Sequence, residues 1–239
     1  MLSLTTPWAV RALAGSSPAA VGVRNLSTRT MAARDAWGRP GKEQPLLLSV
    51  SVEFASGFER AGKTDSLGTD TVHYGTLSKA ILASTSNNKD QSGGGLAMVV
   101  GDAWTALTGR NIGSDGKEGA GMIGNEVRFL SITAMLPKAS LLGSGVSWTV
   151  SECFGTGVYA TILTVHDLRV PTLIGINVNE RLAKQFVIAT VMVEGVEPLA
   201  LQDKYTELER MVVKVCYATL KACKAKIAGR RWRIPLLGR

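Results

Sequence analysis

The sequence predicts an α+β chain made of one full unit of strand, strand, helix, helix, strand and strand, followed by about half of a second unit. Three observations predict it. A short motif near the N-terminus returns 142 residues later. Blocks of strand-like alternation give way to blocks of helix-like spacing. The 239 residues are 45% apolar and only 19% charged, with a mean hydropathy of +0.13, which supplies a buried core and argues against wholesale disorder.

The repeat aligns Val23-Arg24-Asn25-Leu26 with Val165-His166-Asp167-Leu168. The offset falls to 141 at Gln44 and Gln185, so one residue has been inserted between the landmarks. Each copy reads as strand, irregular loop, strand. In the second strand of copy one, Leu46, Leu48, Val50, Val52 and Phe54 share a side; in copy two the set is Val187, Ala189, Val191 and Val193. A helix follows in each copy. In copy one, Thr69-Asp70 precede TVHYGTLSKAIL, where Leu77, Ile81 and Leu82 recur at helical spacing after an N-cap residue. In copy two, Asp203 precedes a helix whose stripe is Leu208, Met211, Val212 and Val215. Copy one continues through the linker SNNKDQSGGG to a second apolar helix around Leu96 to Leu107, then a loop from Gly109 to Gly121. VRFLSITAMLP and SGVSWTV form a closing hairpin joined by KASLLG. Copy two stops after its first helix, leaving an unpatterned basic tail. Exposed strand edges and apolar faces are usually covered. The strands around Ile162 to Val170 and Phe186 to Val193 are therefore expected to add to the sheet of copy one or of another chain.

Charge and cysteine narrow the function. The net charge is +8, from 27 Lys and Arg against 19 Asp and Glu. Residues 1–34 hold four Arg and no acid, and residues 214–239 hold eight Lys and Arg and no acid, so the middle of the chain is mildly acidic. Charge confined to two tails is not a groove that tracks phosphates, and no nucleic-acid partner is expected. The longest apolar runs, such as Leu46 to Val50, fall far short of the roughly 20 residues that cross a bilayer, so no membrane partner is expected either. Cys153, Cys216 and Cys223 are odd in number and lack CxxC spacing, which excludes a disulfide framework and a zinc site and suits a reducing compartment. With two His, no HExxH, no P-loop and no GxGxxG after a strand, neither a metal nor a cofactor is expected. Residues 1–20, rich in Ser, Thr and Ala with one Arg and no acid, read as a disordered or transit-like terminus. Localisation is then cytoplasmic, or mitochondrial if that segment is a transit peptide.

Three segments resemble the dihydroneopterin aldolase family of folate biosynthesis, in the tandem form of fungal folate enzymes. They are GKTDSLGTDTVHYGTL (62–77), LPKASLLGSGVS (136–147) and LRVPTLIGINVNERLAKQ (168–185). With DAWGRPGKEQPLLLSVSVEF (35–54) they cover most of residues 22–213. The resemblance implies the tunnelling fold: a four-stranded antiparallel sheet with two helices on one face, in units that assemble into a barrel with sites between neighbours. Residues 21–151 would form unit one, 159–220 a partial unit two and 221–239 a basic tail. It also implies a pterin substrate, 7,8-dihydroneopterin, cleaved by a retro-aldol step to 6-hydroxymethyl-7,8-dihydropterin and glycolaldehyde. The pterin ring imine accepts the electrons released, so no metal or Schiff base is required.

Residue by residue, Lys138 in LPKAS matches the family's catalytic lysine and Tyr74 in TVHYG its catalytic tyrosine, a proton relay. Val72 matches a position whose backbone contacts the pterin, and His73 is a packing residue. Glu180, five residues before Gln185, matches an acidic residue of the first loop; copy one has WGRPG there and no acid at that spacing. One composite site is thus expected to draw Tyr74 and Lys138 from copy one and Glu180 from copy two, in a homo-oligomer. The family's pterin-anchoring glutamate at the start of the second helix has no counterpart in SGGGLAMVVGDAWTAL, where Asp102 is the only acid. That departure leaves a second expectation, a non-catalytic tunnelling-fold subunit that binds pterin or only assembles.

Overall fold

The computed structural model describes residues 2–64, 71–86, 94–116, 119–124, 126–173, 177, 179–197 and 204–222. Its strands are β1 (Ser3–Thr5), β2 (Ala19–Thr30), β3 (Gln44–Phe54), β4 (Val127–Leu136), β5 (Gly145–Cys153), β6 (Val158–Thr172) and β7 (Gln185–Glu194). Its helices are α1 (Pro7–Ala14), α2 (Glu59–Thr64), α3 (Tyr74–Ser86), α4 (Gly95–Thr108) and α5 (Tyr205–Ala222). The fold is α+β. The sheet has seven strands rather than four, in the order β1-β6-β5-β4-β3-β2, with β7 also pairing β6. Strands β2 to β5 form the antiparallel set expected of copy one, and β6 continues it by pairing β5 from Val158 to His166. The excess arises because β6 is long enough to serve β5 on one side and both β1 and β7 on the other.

The alternation read from the sequence decides which face is dry. Leu46, Leu48, Val50, Val52 and Phe54 are each at most 2% exposed, and they meet Leu77 and Ile81 of α3 and Leu96, Val100, Trp104 and Leu107 of α4 in one core. Helix α5 joins that core through Tyr205, Leu208 and Val212. Its stripe needs correction: Met211 and Val215 are 39% and 52% exposed, and Tyr205 takes their place inside. The positions i, i+3 and i+7 make the buried seam, as the helical period requires. Leu82 is likewise only half-buried.

The repeat is structural. In both hairpins the register shifts between the matched Val and Leu, Val23/Leu26 in β2 and Val165/Leu168 in β6. At the bulge Asn25 and Asp167 take φ of 53° and 50°. Such left-handed backbone suits short polar side chains. Each bulged amide finds a hydroxyl on the partner strand: Asn25 N donates to Ser49 Oγ at 3.0 Å, and Asp167 N to Thr190 Oγ1 at 3.2 Å. Ser49 and Thr190 are themselves separated by the second offset of the sequence repeat.

Residues 2–15, within the segment expected to be disordered or transit-like, hold β1 and α1. Thr6 caps α1 by accepting from Ala9 N at 3.2 Å, Pro7 occupies the first turn, and Gly15 closes the helix at a φ of 62°. Val10 and Ala14 are fully buried against Phe129, Cys153 and Ala160, on the sheet face opposite α3, α4 and α5. Arg11 adds an ion pair to Glu53 at 2.6 Å. No helix among the described residues is long and apolar enough to cross a membrane. The expected caps Thr69-Asp70 and Asp203, most of the linker SNNKDQSGGG, and the basic tail from residue 223 lie outside the described residues.

Candidate functional site

Lys138 sits in the loop between β4 and β5, and backbone chemistry fixes that loop. Pro137 has no N–H, so the ladder ends at Leu136. Ala139 N turns back onto Leu136 O at 3.3 Å, and Gly143 N donates to Ser140 Oγ at 2.8 Å. Gly145, at φ 130°, restarts the sheet where a Cβ would meet Leu136 O at 2.5 Å. Lys138 itself is exposed. The loop then leans on copy two: Ser144 N donates to His166 O at 2.8 Å, Arg169 N to Leu142 O at 2.9 Å, and Leu142 N to Glu209 Oε1 of α5 at 3.2 Å.

The register puts Glu180 at the same end of the sheet, because the β6–β7 connection lies beyond the Thr172–Gln185 pair, at the end where β4 finishes and β5 begins. Glu180 is exposed within a 3-10 turn, Asn179–Arg181. Its carboxylate accepts from Asn177 N at 3.3 Å and Asn177 Nδ2 at 3.0 Å, while Gln185 Nε2 donates to its backbone carbonyl at 3.4 Å. Spacing to Gln185, which singled out Glu180, therefore corresponds to a physical link.

Tyr74 is the first residue of α3, 66% exposed, its ring stacked on His73 with centroids 4.8 Å apart. His73 caps the helix rather than packing inside it: Nδ1 accepts from Gly75 N at 3.0 Å, and its carbonyl accepts from Leu77 N at 3.0 Å. A side chain at Gly75 would press on that imidazole, its Cβ 3.0 Å from the ring. Val72 packs at the edge of the core. Among the described residues Tyr74 and Lys138 share no hydrogen bond with each other or with Glu180; all three are exposed, and Lys138 and Glu180 lie at one end of the sheet.

Two polar groupings escaped the sequence reading. On the sheet face away from α3 and α4, Ser147 Oγ and His166 Nε2 lie 2.7 Å apart. Burial pushes the His166 imidazole below its ordinary pKa, opposed by the Asp167 charge. Asp167 in turn accepts from Thr190 Oγ1 at 3.1 Å. The signal was present in the VHDL repeat, but it served there only as a register mark. At the other end of the sheet, Arg110 Nη2 donates to Glu152 Oε1, Arg110 Nη1 donates to Ser114 O at 2.6 Å, and the guanidinium lies 4.9 Å above the Phe154 ring. Burial raises the Glu152 carboxyl pKa, and Arg110 opposes the rise. A cavity of about 240 Å³ beside this pair is lined by Thr108, Arg110, Asp115, Ile123, Val127 and Phe154, with Gly124. Arg110 and Glu152 are 42 residues apart, and no local pattern joins them. Among the described residues no group of His, Cys, Asp and Glu could hold a metal ion.

No family model matches the chain, and no curated protein matches it. Solved structures do. A protein assigned as a dihydroneopterin aldolase from Vibrio cholerae is 19% identical, with a TM-score of 0.42, over 58% of this chain and 99% of that one. The Escherichia coli dihydroneopterin aldolase in complex with neopterin is 17% identical, with a TM-score of 0.41, over 56% and 98%. A urate oxidase from Bacillus sp. TB-90 is 9% identical, with a TM-score of 0.46, over 81% and 78%. At scores and identities this low, the likenesses assign no function to this chain.

Proposed function

We propose that the chain is a pterin aldolase that cleaves 7,8-dihydroneopterin by a retro-aldol step, with Lys138 as the principal proton-handling residue. The observation that carries the reading is a coincidence of motif and element. LPKAS ends β4 and TVHYG opens α3, within a unit that runs β2, β3, α2, α3, α4, β4, β5, and an exposed lysine stands in a loop braced by the second repeat. Cleavage of the side-chain carbon bond needs a proton taken from a hydroxyl and one returned to the carbon left behind, while the ring imine holds the electron pair. Lys138 and Tyr74 are the groups proposed to move those protons, Glu180 to orient the side-chain hydroxyls, and the Val72 backbone to meet the ring. The complete site is proposed to form where two copies of the chain meet, as sites between neighbouring units do in the family it resembles.

The test is direct. The full chain, incubated with 7,8-dihydroneopterin in EDTA, is expected to release 6-hydroxymethyl-7,8-dihydropterin, followed by chromatography with fluorescence detection. Lys138→Ala should cut turnover by about a hundredfold or more, the scale of general acid–base catalysis. An unchanged rate removes Lys138 from the mechanism. A specific observation favours a second reading: Glu180 is hydrogen-bonded to Asn177, and α4 opens without an acid. In that reading the chain binds pterin or assembles without turnover, and quenching of its five Trp by a pterin with no product would identify it.

A further inference from the structure

The second repeat holds the Lys138 loop in place, and we propose that Glu209 is the positioning residue that does so, which makes copy two a built-in brace for the site of copy one. The inference rests on the aldolase reading for its consequence, though not for its geometry. Five bonds shape residues 137–144. Two are internal, Ala139 N to Leu136 O and Gly143 N to Ser140 Oγ, and three reach copy two. Leu142 is held from both sides, its carbonyl by Arg169 N in β6 and its N–H by the Glu209 carboxylate in α5. Those partners lie 27 and 67 residues from Leu142 and on different elements, so the loop cannot shift along one without breaking from the other.

Glu209 is placed to act as a fixed point. It is 7% exposed on α5, between Leu208 and Val212, which are buried in the core, and one turn from Tyr205, whose hydroxyl donates to Arg34 O in the β2–β3 loop. An isolated buried carboxylate is unfavourable. A main-chain N–H donor offsets that cost and forms a stronger bond than a neutral pair would. The loop has been shaped to meet it: a Cβ at Gly143 would collide with His166 O, so only glycine lets Leu142 and Ser144 reach their partners together. Leu142 lies four positions after Lys138. Releasing the brace therefore moves the ammonium relative to a bound substrate without removing any group that touches it.

The experiment compares wild type, Glu209→Ala, Glu209→Gln and Gly143→Ala by two readouts. Amide exchange at Leu142, followed by NMR without substrate, should speed up about tenfold or more in Glu209→Ala and Gly143→Ala, the scale of one lost charge-assisted hydrogen bond. It should return to near the wild-type rate in Glu209→Gln, whose amide oxygen still accepts. Turnover of 7,8-dihydroneopterin should lose about tenfold in kcat in Glu209→Ala, with KM within about twofold, and recover in Glu209→Gln. Gly143→Ala breaks the brace from the loop side and leaves Glu209 and the core intact, so it decides the matter if Glu209→Ala fails to fold. Unchanged Leu142 exchange in a folded Glu209→Ala or Gly143→Ala protein overturns the proposal, as does failure of Glu209→Gln to restore it. A wild-type chain without turnover overturns the aldolase reading alone, and the exchange measurement then decides the brace.

Discussion

His166 shows how one side chain can tie stability to pH. Its Nε2 lies 2.7 Å from Ser147 Oγ and its carbonyl receives Ser144 N, so it stands at the root of the Lys138 loop. Burial favours the neutral imidazole, and Asp167 offsets part of that preference. A histidine whose folded pKa lies below its unfolded value of about 6.5 binds fewer protons folded than unfolded in that window, so stability rises with pH there. Acidification below about pH 6.5 should therefore cost stability, with the loss complete once pH has passed below the folded pKa. Urea midpoints measured between pH 7.5 and 5 should fall more steeply for wild type than for His166→Gln; parallel slopes would remove His166 from the effect. Asp35 contributes in the same direction over a more acidic range. Burial would raise its pKa, but hydrogen bonds from Arg39 N, the Arg39 side chain and Trp37 N prevail and lower it. Its share of stability is present above the ordinary carboxylate range and is lost as pH falls through its lowered folded value.

At the scale of elements, the two bulges offer the sharpest test of the repeat. A non-glycine residue held in the left-handed region costs about 1–2 kcal/mol, less for Asn and Asp. Asn25→Val and Asp167→Val should each lose about that much in urea unfolding, while the glycine variants stay close to wild type; equal losses for Val and Gly would mean the side chain matters and the backbone conformation does not. These bulges also mark what the sequence could reveal. Alternation from Leu46 to Phe54 located β3, and the matched VRNL and VHDL segments located both hairpins, because period and repeat are local signals. The α3 cap was less legible, since the helix takes an imidazole, His73, where Thr or Asp was expected. Helix α1 was hidden by composition: Ser, Thr and Ala read as a leader, and only tertiary contact with Phe129 and Cys153 shows the helix to be packed. Lys138, Tyr74 and Glu180 were legible as motif positions. Glu209 and the Arg110–Glu152 pair were not, because their partners are brought together by the sheet across 67 and 42 residues.

For the whole molecule, the open edges of the long strands β2 and β7 pose the remaining question of assembly. Among the described residues, β2 and β7 each pair on one side only, and the outward face of β7 presents Phe186, Ile188 and Met192 at 69%, 62% and 63% exposure. The repeat explains why these residues are bare. They correspond to Pro45, Leu47 and Ser51 of β3, all half-buried, and β3 has β4 along its outer edge where β7 has no second strand among the described residues. Burial of those apolar side chains and hydrogen bonding along the open edge of β7 both favour pairing with a second copy. Light scattering coupled to size exclusion should accordingly show a mass that rises with concentration from about 1 to 100 μM. The double variant Ile188→Lys, Met192→Lys should hold the chain at monomer mass without lowering its thermal midpoint, because both side chains are already in water. If turnover depends on sites completed between copies, the same variant should also lose activity in proportion to the lost assembly, and raising its concentration should not restore it. A wild-type chain that stays a monodisperse monomer across that range would show that β7 is closed by something other than a second copy.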